Sequence, residues 1–170
     1  MISDFFLALL LALIQGLTEF LPVSSSAHLL FPSLLFGAKD FGIVFDISVH
    51  VGTLAAVIYY FKKEIQGLLQ AWNPWSKTRN TENFSLGLNL IVATLPIVLV
   101  GLLASDLAES RSANIDSIAW ANLVFAGLLY AAFKSSSQSK SLTELTLFAA
   151  LIIGCFQALA VFPGASRSGM

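Results

Sequence analysis

Apolar residues dominate six segments of the chain, at roughly 5–21, 27–36, 41–61, 86–104, 118–133 and 145–162. A helix that spans the hydrocarbon core of a bilayer needs about 20 apolar residues, with a range of about 17–25. Segments 41–61, 86–104 and 118–133 are therefore predicted to be transmembrane helices, the last with a few residues added at its ends. The pattern predicts an all-α integral membrane protein with a single membrane domain over 1–170.

Segment 5–21 is marginal for a span and segment 27–36 is too short, and no charged loop separates them. Segment 5–21 is followed by Pro22 and a serine run, and segment 27–36 begins directly afterwards. This pattern predicts a re-entrant helix–loop–helix at 5–36, which enters the membrane and returns to the same side. Irregular backbone is tolerated at membrane depth only where protein or a water-filled cavity covers it.

A second break follows segment 145–162 and resembles the first. At an offset of 142 positions, Gln15, Leu17, Phe20, Ser24 and Ser26 correspond to Gln157, Leu159, Phe162, Ser166 and Ser168. Repeated broken helices are typical of membrane proteins that bind a ligand near the midplane. We expect 1–134 to form a first repeat and 145–170 the first half of a second re-entrant hairpin. Because such a hairpin needs a returning helix, the chain is interpreted as C-terminally truncated.

The charges of the loops predict their sides of the membrane. Basic residues prevail in 62–84 and 134–144, whereas acidic residues prevail in 105–117. By the positive-inside rule the first two loops are cytoplasmic and the third is external. The two breaks would then enter from opposite faces and meet near the midplane, as the start of an inverted repeat.

The composition supports a membrane protein and excludes several functions. Hydrophobic residues make up 56% and charged residues 11% of the chain, whereas a soluble domain carries about 25% charged residues. The net charge of −1 says nothing about nucleic acid, and no basic cluster argues for such a partner, so none is expected. A single cysteine, Cys155, excludes a disulfide framework and a CxxC metal site.

The end of segment 5–21 carries polar groups that need partners. Gln15 and Glu19 are four residues apart and share one helix face. An unpaired carboxylate is costly in apolar surroundings, so Glu19 needs a metal, another cation or water. The alternative is that Glu19 lies at the membrane interface and is merely solvated.

The serine run predicts the start of a new helix with an anion site. Serine is a favoured N-cap, and the free N–H groups of a helix start bind anions. A hydroxyl near His28 also suits nucleophilic or acid–base work. Ser25 is the candidate nucleophile and His28 its acid or base. Alternatively, the serines only cap the helix and His28 is a satisfied polar residue.

The second break adds an arginine. The forked donors of Arg167 suit phosphate, and the glycines beside it permit close approach of the backbone. Arg167 would therefore bind an anion at the midplane, or it would simply mark a cytoplasmic loop. Elsewhere, Asp46 and His50 are interpreted as a structural pair facing the cavity, and Asn89 as an interhelical hydrogen-bond former.

Three motifs together resemble the undecaprenyl-diphosphate phosphatase family, also known as the bacitracin-resistance proteins. They are QGLTEFLPVSSSAH at 15–28, DISVHVGTLAAV at 46–57 and PGASRSG at 163–169. The resemblance implies a bacterial plasma-membrane enzyme that hydrolyses undecaprenyl diphosphate to the monophosphate, recycling the carrier for peptidoglycan synthesis and conferring bacitracin resistance. It also implies two inverted repeats and a divalent cation, Mg²⁺ or Ca²⁺; a homodimer is a candidate assembly.

The family's functional residues map onto both breaks. Catalytic roles fall on Glu19, Ser25, His28 and Arg167, phosphate binding on Ser24, Ser26, Ser166, Arg167 and Ser168, and the cation on Glu19 with Gln15. Many relatives have Glu in place of Gln15, so a cation site built from two carboxylates of this helix is in doubt. Water is the alternative nucleophile. A transporter that flips the polyprenyl phosphate carrier is the alternative function, because inverted repeats with broken helices are also a transporter design.

Overall fold

The computed structural model describes residues 3–75, 80–103, 115–135, 141–161 and 164–170. Seven α-helices occupy most of these ranges: α1 (Asp4–Thr18), α2 (Ser25–Phe36), α3 (Ile43–Tyr60), α4 (Lys62–Trp72), α5 (Thr81–Leu103), α6 (Ile115–Ser135) and α7 (Leu147–Ala158). Short 3-10 helices lie at Leu142–Glu144, Leu159–Val161 and Arg167–Gly169. The described ranges contain no strand, which confirms the predicted all-α class.

Three of the described helices, α3, α5 and α6, are long and apolar enough to cross a membrane. They fall on the segments predicted to span. By contrast, α1 has 15 residues and α2 has 12, which gives lengths of about 22 and 18 Å. Neither reaches the hydrocarbon thickness of about 30 Å, although the two helices pack against each other.

The interpretation of 62–84 as a loop is wrong over much of its length. Helix α4 follows α3 with only Phe61 between them, and α5 already begins at Thr81. The Trp72 ring of α4 stacks on Phe84 of α5 at 4.8 Å. Charged and polar residues made this stretch unsuitable for the membrane, but Lys, Glu, Gln and Leu are good helix formers. Of the predicted loop 105–117, residues 105–114 lie outside the described ranges.

Small residues bring α5 and α7 together in the most extensive described helix pairing. Ala150, Gly154 and Ala158 recur every four residues along α7, and all three are buried. A Cβ at Gly154 would lie 2.3 Å from the backbone oxygen of Ala93 in α5. Small residues at this spacing let membrane helices approach closely. They set the position from which the chain enters the second break.

Asn89 links α5 to the approach to α7. Its side chain is 3% exposed, and its Nδ2 donates to the backbone oxygen of Leu145 at 2.7 Å. The bond joins α5 to the segment that precedes α7, so it is not the predicted bond between two helices. Most large apolar side chains are exposed, while six of the nine buried apolar residues reported for the described ranges are alanines. A large exposed apolar surface over a core of small residues suits lipid surroundings.

Candidate functional site

The two breaks touch each other. The Ser168 hydroxyl donates to the backbone oxygen of Leu21 at 2.6 Å, and the Ser166 hydroxyl approaches the same oxygen at 3.5 Å. A Cβ at Gly169 would lie 3.2 Å from Pro22 Cβ. The contact expected between the breaks is therefore found for 164–169, whereas their entry from opposite faces of the membrane stays a prediction. Pro163 lies outside the described residues.

Gly164 sets the path of the second break. Its φ is +96°, a conformation that is strained for residues with a side chain. A Cβ there would lie 2.7 Å from the backbone oxygen of Ile118 in α6. The break therefore lies against α6 on one side and against the first break on the other. Only glycine satisfies both the backbone angle and the close approach.

Ser24 makes the corresponding bend in the first break. It is the only described non-glycine residue with positive φ, at +57°, and it is 3% exposed. The Ser24 backbone oxygen accepts from the backbone N–H of His28 at 3.4 Å and bonds the Nδ1 of the same residue at 2.9 Å. Such strain persists only where surrounding contacts enforce it, and it is concentrated at functional sites.

Glu19 is the centre of a hydrogen-bond cluster. Its Oε2 accepts from Gln15 Nε2 at 2.7 Å and from the Ser25 hydroxyl at 2.6 Å. The Glu19 side chain is 23% exposed, and Gln15 is fully buried. Glu19 thus has two protein hydrogen-bond donors and limited exposure, which differs from the alternative of a carboxylate that is merely solvated at the interface. The arrangement can orient Glu19 and can take a proton from Ser25.

The histidine beside this cluster is His50, not His28. His50 Nε2 lies 3.6 Å from Glu19 Oε2. The His28 ring instead bonds the Ser24 backbone oxygen and lies 5.5 Å from the Phe31 ring. The structure therefore does not bring His28 to Ser25 as predicted.

The predicted pairing of Asp46 with His50 takes a different form. His50 Nδ1 bonds the backbone oxygen of Asp46 at 2.7 Å, and both residues line the cavity described next. Sequence reasoning placed His50 in a structural pair and missed its proximity to Glu19. The sequence shows only that His50 lies on the predicted helix 41–61. It does not show which face of that helix packs against α1, so the contact with Glu19 could not be predicted.

A cavity of about 460 Å³ lies between the breaks. Its described polar lining is Glu19, Ser24, Ser25, Ser26, Asp46, His50, Ser166, Arg167 and Ser168. Its described apolar lining is Leu30, Ile97, Val98, Gly101, Ala160, Val161 and Ala165. Every predicted phosphate-binding residue is in the first group. A lining that combines charged, hydroxyl and apolar side chains suits an amphiphilic ligand with an anionic head.

The cavity offers oxygen donors to a cation, but no preformed cage. Among the described residues, no group of three His, Cys, Asp or Glu side chains is placed to hold a metal ion. Gln15 Oε1 is buried and has no hydrogen-bond partner in the described part of the chain. Mg²⁺ commonly binds through one or two carboxylates, waters and substrate phosphates. The residues therefore fit a cation that binds together with a phosphate.

The three membrane-length helices define a multi-pass membrane protein, and its two interrupted segments line one cavity with polar side chains. The family model described as bacitracin resistance protein BacA matches residues 8–170, and the chain belongs to that family.

Curated relatives carry the name undecaprenyl-diphosphatase. The protein of Saccharophagus degradans is 50% identical over 98% of this chain and 63% of its own length. That of Teredinibacter turnerae is 46% identical over 98% of this chain and 64% of its own length. That of Chromohalobacter salexigens is 48% identical over 94% of this chain and 61% of its own length. The chain thus spans less than two thirds of the relatives it matches.

Proposed function

We propose that this chain carries the catalytic site of an undecaprenyl-diphosphate phosphatase. The observation that carries the proposal is the contact between the breaks, which places Arg167 and the Ser25–Glu19 pair around one cavity. The relatives named undecaprenyl-diphosphatase support this substrate. The product is the monophosphate carrier, and its recycling would confer the bacitracin resistance for which the family is named.

The substrate's charged and apolar parts would occupy different walls. The diphosphate would bind near Arg167, whose guanidinium offers paired donors to phosphate oxygens. The hydroxyls of Ser166 and Ser168, held near each other at 3.0 Å, lie beside Arg167 in sequence and in the lining. The prenyl chain would leave past Ile97 and Val98 of α5 toward lipid.

In the proposed reaction, the Ser25 oxygen attacks the terminal phosphorus while its proton moves to Glu19. The bond from that phosphorus to the bridging oxygen breaks, and the monophosphate lipid leaves. Water then cleaves the phosphoserine and releases inorganic phosphate. The 2.6 Å hydrogen bond from Ser25 to Glu19 supports Glu19 as the base. His28 would instead hold the bend at Ser24. If water attacks directly, the same residues would position phosphate and water.

A divalent cation, Mg²⁺ or Ca²⁺, would be held by Glu19, with Gln15 orienting its carboxylate. When bound, it would neutralise charge on the phosphate oxygens. The chain's own contribution is a partly buried carboxylate in the same cavity as Arg167. The diphosphate would then bind between Arg167 and the cation at Glu19.

The proposed function also includes a membrane topology for the two interrupted segments. The segments containing α1–α2 and α7 would be re-entrant and would enter a bacterial plasma membrane from opposite faces. The short lengths of α1 and α2 and the contact between the breaks support this topology. Relatives extend beyond the matched region, which leaves room for a second repeat in proteins of their length.

Phosphate release from undecaprenyl diphosphate in proteoliposomes tests the proposal. The assay should use this chain and a form extended to the length of its relatives, with and without Mg²⁺. We expect metal-dependent release that Glu19→Gln abolishes and that Glu82→Gln, an exposed change at the start of α5, preserves. Lipid movement across the bilayer without phosphate release would instead favour the transporter.

A further inference from the structure

The imidazole of His50 is held in one orientation. Its Nδ1 lies 2.7 Å from the Asp46 backbone oxygen, so Nδ1 carries hydrogen and donates. The other nitrogen, Nε2, is therefore the one turned to Glu19 Oε2, 3.6 Å away. Metal-ligating histidines are commonly oriented in this way, with one ring N–H on a carbonyl and the other nitrogen on the metal.

The contact between His50 and Glu19 is favourable only if a positive charge lies between them, either a proton on Nε2 or a bound cation. A distance of 3.6 Å exceeds that of a hydrogen bond. A neutral imidazole with hydrogen on Nδ1 would point its Nε2 lone pair at a carboxylate, which is unfavourable. At the right angles of an octahedral Mg²⁺ site, two ligand atoms about 2.1 Å from the ion lie about 3.0 Å apart. The observed 3.6 Å is about 0.6 Å longer, so a small movement of either side chain would place both atoms on one cation.

We propose that His50 Nε2 and the Glu19 carboxylate are two protein ligands of the divalent cation in this cavity. This inference deepens the proposed function, because phosphate oxygens and water would complete the coordination. Arg167 lines the same cavity and would repel an isolated cation, so cation and diphosphate should bind cooperatively. An imidazole ligand favours Mn²⁺ over Ca²⁺, since Ca²⁺ prefers oxygen ligands.

Pulsed electron paramagnetic resonance of bound Mn²⁺ tests the assignment directly, because it detects the ¹⁴N nucleus of a coordinated imidazole. The chain has two histidines, His28 and His50. An untagged His28→Gln variant thus leaves His50 as the only imidazole. Spectra should be recorded for the untagged wild type, His28→Gln and His50→Gln in nanodiscs, with and without inorganic pyrophosphate as the diphosphate probe.

We expect imidazole coupling in the wild type and in His28→Gln, and its loss in His50→Gln with at least about tenfold weaker Mn²⁺ binding. Pyrophosphate should tighten Mn²⁺ binding. Bound Mn²⁺ without this coupling in the wild type, coupling lost in His28→Gln, or no Mn²⁺ binding with pyrophosphate present would each overturn the assignment. The wild-type and His28→Gln arms do not depend on whether His50→Gln folds.

Phosphate release measured on the same preparations separates the two proposals. Hydrolysis without imidazole coupling would leave the phosphatase standing and remove His50 from the cation site. Imidazole coupling without hydrolysis would keep His50 as a ligand of the cation and would contradict the proposed phosphatase activity.

Discussion

The two breaks have similar sequences but supply different chemistry. At the offset of 142, Ser25 of the first break corresponds to Arg167 of the second, and Glu19 corresponds to Val161. In the first break, the Ser25 hydroxyl donates a hydrogen bond to the Glu19 carboxylate. In the second break, the Arg167 side chain carries the charge, and the hydroxyls of the two flanking serines lie 3.0 Å apart. The first break has a carboxylate but no arginine, and the second has an arginine but no carboxylate.

The breaks also bend the chain differently. In the first, Ser24 takes the positive φ and a 12-residue helix follows it. In the second, Gly164 takes the positive φ, and the short 3-10 helix Arg167–Gly169 follows it. The bend at the buried Ser24 places Ser25 at the first position of α2. The bend at Gly164 brings the backbone of the second break against α6. Under the proposed function, the first break is the reacting half of the site and the second break is the binding half.

Ser25→Ala is the strongest test of the reacting half. If Ser25 is the nucleophile, turnover should fall by about 10³-fold or more, since removing a covalent nucleophile has effects of this scale. If water attacks and Ser25 only binds, the loss should be about tenfold. Phosphate-release kinetics distinguish these outcomes. Ser33→Ala is the matched control, because that hydroxyl bonds the Leu30 backbone oxygen within α2.

Arg167→Ala tests the binding half. We expect kcat/KM to fall by about 10²–10³-fold, as when a group that stabilises transition-state charge is removed. Arg167→Lys should recover only part of this loss, because lysine keeps the charge and loses the fork. Steady-state kinetics on the extended form measure both variants. Unchanged kinetics in Arg167→Ala would mean that this residue is only a loop arginine.

Gly164→Ala should destabilise the second break without touching the reacting half. A Cβ there meets the Ile118 backbone oxygen at 2.7 Å, and overpacking costs about 1–3 kcal/mol. Thermal unfolding in detergent should show the loss. Gly127→Ala in α6 is the control, since its Cβ would meet no atom within 4 Å. Equal melting temperatures for the two variants would contradict the described packing.

Ser168→Ala should have the smallest effect. It removes the 2.6 Å hydrogen bond that joins the breaks at Leu21, worth about 1 kcal/mol. We expect KM to rise about fivefold, which corresponds to that energy, because the anion-binding half is less well placed. A loss as large as that of Arg167→Ala would indicate that Ser168 contacts the reacting phosphoryl group.

Helix positions and the existence of two breaks could be predicted because they depend on local pattern. An apolar run of membrane length, ended by proline, glycine and serines, is visible without tertiary information. The stretch containing α4 was misassigned because polarity was taken to mean a loop, although its residues favour an amphipathic helix. The pairing of Ser25 with His28 failed because closeness in sequence does not determine where a side chain turns.

The sequence by itself determined the membrane class, the family resemblance and the residues available for chemistry. Only the tertiary structure decided that Ser25 meets Glu19, that His50 faces the same carboxylate, and that Ser168 reaches Leu21. The reason is physical: hydropathy and backbone preference act between neighbours along the chain. Contacts between α1, α3 and the second break depend instead on how segments distant in the chain pack together.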